Sequence, residues 1–107
     1  MEEIFHHRTV EQARNAAIHW LETRGVKFGP RRDIVAGKFG VLDGSEAGVR
    51  SAEGAKPFWR LRLDFDPKKG PHYNAEHGTG AAGESAAFQF EGSEALVARL
   101  ARRRAPR

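Results

Sequence analysis

Residues 68–77 read Lys-Lys-Gly-Pro-His-Tyr-Asn-Ala-Glu-His, which puts two imidazoles, a carboxylate, a carboxamide and two ammonium groups within ten residues. An imidazole titrates near neutral pH and can take or give a proton, while ammonium and guanidinium groups hold phosphate oxygens. In a chain with a formal net charge of +4 and a sequence pI of about 10.0, that set points to phosphate chemistry.

The same groups meet the demands of RNA cleavage without a metal. A base must take the 2′-hydroxyl proton, an acid must protonate the departing 5′-oxygen, and fixed cations must stabilise the charge on the phosphorane. His72 is the first candidate for acid or base, with Glu76 as its candidate partner. His77 is the alternative imidazole, able to come beside His72 if the strand that carries them ends early. Arg60, Arg62, Lys68 and Lys69 are candidates to hold phosphate, Asn74 is a further substrate-binding candidate, and Thr79 can hydrogen-bond phosphate or shape the turn at Gly78-Thr79-Gly80. His72, Glu76 and His77 match no established zinc spacing, and on a straight strand the two imidazoles fall on opposite faces. No metal and no other cofactor is expected.

The elements that must position these groups can be read from periodicity. In residues 57–65, Trp59, Leu61, Leu63 and Phe65 alternate with Phe58, Arg60, Arg62 and Asp64, the period-2 pattern of a half-buried strand. Asp66-Pro67-Lys68-Lys69-Gly70-Pro71 turns the chain, and residues 72–77 return as a second strand. If its buried face runs through Tyr73 and Ala75, then His72, Asn74 and Glu76 join Arg60 and Arg62 on the open face. Residues 84–90 form a third strand, with Ala86, Phe88 and Phe90 on one side.

Residues 9–24 predict a helix capped by Thr9 and Gln12 and stopped at Gly25, with Val10, Ala13, Ala17, Trp20 and Leu21 on one stripe. Ser93 caps a terminal helix that buries Leu96, Val97, Leu100 and Ala101. Residues 29–54 read as an irregular hairpin or loop, with a short candidate strand at 33–41. His6 and His7 are expected at the surface, His19 at the boundary of the first helix, Trp20 and Trp59 in the core, and Tyr73 packed rather than stacked on a base. The order predicts one α+β domain over residues 1–107, a small antiparallel sheet packed against an N-terminal and a C-terminal helix.

Composition narrows the function classes. The 107 residues include no cysteine, which removes disulfides, thiolate zinc sites, cysteine nucleophiles and the zinc deaminase signature, and fits a reducing cytosol. No run approaches the roughly 18 apolar residues of a membrane span, and the N-terminus does not read as a secretion signal. Arg99, Arg102, Arg103, Arg104 and Arg107 crowd the end of the chain, so a polyanion or an acidic protein is the expected partner, unless they only complement a helix C-terminus.

Residues 69–76, together with Ala87-Phe88-Gln89-Phe90-Glu91-Gly92-Ser93 and a terminal helix, resemble the C-terminal toxin modules of bacterial polymorphic and contact-dependent inhibition systems, over roughly residues 68–100. Many such modules are small ribonucleases, a number with the fold shared by barnase, EndoU, colicin and RelE nucleases; the helix after the sheet departs from that pattern. The resemblance implies an endoribonuclease toxin acting on cytosolic RNA, tRNA among the candidates, in the cytoplasm of a target cell that it reaches as part of a larger secreted protein. It also implies a cognate immunity protein, expected to be acidic, and it carries over to Lys69, His72, Asn74 and Glu76. A non-catalytic basic module that binds nucleic acid and an interaction domain for an acidic protein are the competing readings.

Overall fold

The computed structural model describes residues 2–28, 32–36, 46–66 and 68–104. The Thr9 hydroxyl accepts the Gln12 N–H at 3.2 Å, and Gln12 Oε1 accepts the Thr9 N–H at 3.3 Å. This capping box opens α1 (Val10–Glu22), which buries Ala13, Ala17, Trp20 and Leu21. Gly25, at φ +91°, takes the left-handed conformation that ends the helical segment. At the other end of the chain the Ser93 hydroxyl accepts the Leu96 N–H at 3.2 Å and starts α2 (Glu94–Arg104).

Six strands make one sheet: β1 (Glu2–His7), β2 (Arg32–Ala36), β3 (Glu46–Ser51), β4 (Trp59–Asp66), β5 (Gly70–His77) and β6 (Glu84–Phe90). Their order is β1-β6-β5-β4-β3-β2. Neighbours from β6 to β2 are antiparallel, and β1 adds to the edge of β6 in parallel. The fold is α+β, as expected, with a larger and mixed sheet in place of a small antiparallel one.

Two of the additional strands come from segments without strand periodicity. β1 forms where a polar stretch was expected; it is held by its pairing with β6 and by Phe5, whose ring stacks on Phe88 at 5.2 Å. β3 lies in the stretch read as irregular. It approaches β4 so closely that a Cβ on Gly48 would overlap the Leu61 carbonyl, so only glycine fits there. The candidate strand at 33–41 is present as Arg32–Ala36, and residues 37–41 lie outside the described ones.

Trp59, Leu61, Leu63, Tyr73, Ala75, Ala86, Phe88 and Phe90 form one buried cluster with the apolar residues of α1 and with Val97 of α2, while Leu96 and Leu100 pack against it. Both helices therefore cover the same face of the sheet. Leu63, fully buried at the centre, is expected to cost about 2–5 kcal/mol on truncation to alanine. A melting temperature unchanged in Leu63→Ala would show that this face does not carry the core.

Candidate active site

The other face of the sheet, opposite the helices, carries the polar residues. Strand pairing arranges them in three cross-strand rows. The first is Arg50, Arg60, Glu76, Ser85 and Glu2, the second Gly48, Arg62, Asn74, Ala87 and Ile4, and the third Asp64, His72, Gln89 and His6. His72, Asn74 and Glu76 thus share the face with Arg60 and Arg62, as the alternation predicted.

The face is not a plain solvated surface. Arg62 donates from Nε at 2.9 Å and from Nη2 at 2.8 Å to the same oxygen, Asp64 Oδ2, and the two side chains are 6% and 5% exposed. Arg62 Nη1, Asp64 Oδ1 and Asn74 Oδ1 are buried with no hydrogen-bond partner among the described residues. Orphaned buried polar atoms each cost about 1–3 kcal/mol.

His72 is 3% exposed. Its Nδ1 lies 2.9 Å from the Gly70 carbonyl oxygen, which can only accept, so Nδ1 carries the proton and Nε2 keeps the lone pair. Asp64 is the residue directly across the β4–β5 pair from His72. Glu76 is not its partner: it sits four residues along β5, about 13 Å away at strand rise. Both Glu76 oxygens are taken by Arg60 Nη2, at 2.8 and 2.7 Å.

Two further candidates are separated from His72. β5 runs through His77, which pairs with Trp59 and Glu84 on the helix-covered face, so it cannot come beside His72; that expectation is corrected by the unbroken strand. Thr79 is exposed in the loop after β5, beyond the first row, where it lines a cavity with Arg50 and Phe58.

The two lysines lie on the β4–β5 turn. The Lys68 N–H donates to Asp66 Oδ1 at 2.7 Å and its side chain is exposed. Lys69 Nζ donates to Glu2 Oε1 at 2.6 Å. Glu2 lies in the first row, four residues along β6 from the row of His72, and Lys69 precedes His72 by three.

Asp66 shows how this turn is charged. Its carboxyl is held below the ordinary 3.8, chiefly by the Lys68 N–H, with the Lys69 N–H and the Lys69 charge adding to it against a smaller opposing effect of desolvation. A lowered folded value means a stabilising contribution that is present above pH 3.8 and lost as pH falls through the folded value. Asp66→Asn should therefore flatten the acid limb of the stability curve below about pH 4. An unchanged limb would remove Asp66 from the linkage.

The residues missed by the sequence reading are Asp64, Gln89, His6, Arg50 and Phe58. Asp64 was visible in the alternation beside Arg62, but its place opposite His72 depends on the length of the turn. His6 and Gln89 depend on β1. Among the described residues no group of three His, Asp or Glu side chains is placed to hold a metal ion, and no helix is long and apolar enough to cross a membrane. No protein-family model matches the chain, and neither a curated protein nor a solved structure is found to be similar to it.

Proposed function

We propose that the helix-free face of the sheet binds RNA and cleaves it, with His72 as general base. The observation that carries this reading is the buried Arg62–Asp64 pair on the same face as His72, with Arg62 Nη1, a donor, left without a partner among the described residues. A phosphodiester supplies acceptor oxygens for Arg62 Nη1 and a 2′-hydroxyl that donates its proton to Nε2.

In this mechanism Nε2 of His72 takes the 2′-hydroxyl proton as O2′ attacks phosphorus. Arg62 donates to a phosphorane oxygen, and Asp64, already across from His72, favours the imidazolium that forms. The P–O5′ bond breaks, and the 5′-oxygen needs a proton from the opposite side. His6 is the second imidazole in this row, two strands from His72 and thus about 10 Å away between Cα atoms. That separation admits a phosphodiester between the two rings. The products are a 2′,3′-cyclic phosphate and a 5′-hydroxyl.

The Lys69–Glu2 pair is partly exposed and contributes about 1 kcal/mol or less, so a phosphate can compete with Glu2 for the ammonium.

The burial of His72 favours a second reading, a face that holds RNA without cutting it. Incubating the protein with total RNA in excess chelator separates the two. Discrete fragments are expected; salt-sensitive retention of intact RNA would favour the binding module, and neither result would reject both.

A further inference from the structure

A cavity of about 700 Å³ opens at the end of the sheet away from the β4–β5 turn, bounded by Arg50, Lys56, Pro57, Phe58, Gly78 and Thr79. None of these residues takes part in the chemistry proposed for His72. The volume is that of a small-molecule pocket rather than a packing defect.

Its centre is an aromatic ring between cations. The Arg50 guanidinium carbon lies 5.2 Å from the centroid of Phe58, and that of Arg60 lies 5.9 Å away. Glu76 offsets the charge of Arg60. Arg50 donates through Nε to the Ser51 carbonyl at 3.2 Å. The Phe58 carbonyl accepts the Gly78 N–H at 2.7 Å, which pins the loop carrying Thr79 against the ring. The site thus combines a half-buried π-face, the Arg50 guanidinium, an ammonium on Lys56 and a hydroxyl on Thr79, the complement of a base joined to a phosphate.

Position supports the same ligand. Phe58 contacts Arg50 and Arg60, so it faces the same side as Arg62, Asp64 and His72. Six residues of extended strand separate it from Asp64, about 20 Å, a span of several extended nucleotides. We propose that this cavity is a nucleotide subsite in which a base stacks on Phe58 and its phosphate meets Arg50. The proposal rests on the RNA reading and deepens it: the substrate is a single-stranded segment long enough to reach from His72 to Phe58.

The test uses the full chain and adenosine 5′-monophosphate, followed by amide chemical shifts. Saturable shifts are expected at Gly54, Gly78 and Thr79, and Phe58→Leu, which keeps an apolar side chain at this position, should weaken binding about 5–100-fold. Equal binding by a Phe58→Leu protein with an unchanged melt would overturn the stacking role. The same shifts from inorganic phosphate at equal concentration would reduce the cavity to an anion site and overturn the base subsite. Absence of shifts in a protein that cuts RNA would reject the subsite alone, whereas binding of the nucleotide by a protein that cuts no RNA would reject the nuclease reading alone.

Discussion

Arg62→Met is expected to lower the melting temperature by more than about 12 °C. The substitution leaves Asp64, with a side chain only 5% exposed, as an unpaired buried carboxylate. Breaking a buried pair from one side typically costs about 3–5 kcal/mol, and each kcal/mol shifts a domain near this size by about 4–8 °C. Replacing both partners, as in Arg62→Met/Asp64→Leu, should recover most of the loss, because apolar residues of similar volume remove the desolvation cost along with the attraction. The double variant should then be stable and inactive. A single variant that melts with the parent would mean that the pair is not desolvated; a double variant as unstable as the single one would trace the loss to packing, not charge. A stable, fully active double variant would remove Arg62 from the chemistry.

Local signals in the chain accounted for the elements whose partners are near in sequence. The Thr9–Gln12 capping box, the left-handed Gly25, the Ser93 cap, the alternation through β4 and the limits of β6 are all properties of a few adjacent residues. What was not legible depends on distant pairing. β1 alternates Glu3, Phe5 and His7 with Glu2, Ile4 and His6, and it still leaves Ile4 48% and Phe5 38% exposed. Neither side is apolar enough to announce a strand, and the segment is extended because β6 offers it an edge.

The same dependence governs the site. Alternation alone placed His72, Asn74 and Glu76 with Arg60 and Arg62. It could not say which carboxylate faces the imidazole, since that follows from the residues spent in the turn between Asp66 and Gly70. The outcome exchanges Glu76, held by Arg60, for Asp64, and it brings His6 into the row of His72 through a strand that no periodicity revealed.

His72→Asn is expected to cut turnover on RNA by about 10²–10⁴-fold, the usual contribution of a positioned proton-transfer group. Asparagine is chosen because its amide N–H can replace Nδ1 in the bond to the Gly70 carbonyl, so the buried turn keeps its donor. Affinity for an RNA that carries 2′-O-methyl groups, which cannot be cut by this route, should be unchanged. Loss of affinity together with activity would assign His72 to holding the turn. Full activity with intact affinity would remove it from proton transfer and leave Arg62 and Lys69 as the groups to examine.

The most direct measurement is cleavage of a DNA oligonucleotide that contains a single ribose, in excess chelator, with the product ends identified by mass. Cleavage through the 2′-hydroxyl is expected to give one cut, on the 3′ side of the ribose, leaving a 2′,3′-cyclic phosphate and a 5′-hydroxyl. Cuts at other positions, equal cleavage of the all-DNA strand, or a 5′-phosphate product would contradict a reaction driven by proton transfer from the ribose to His72, and an uncut oligonucleotide that nonetheless binds would make this face a binding surface only.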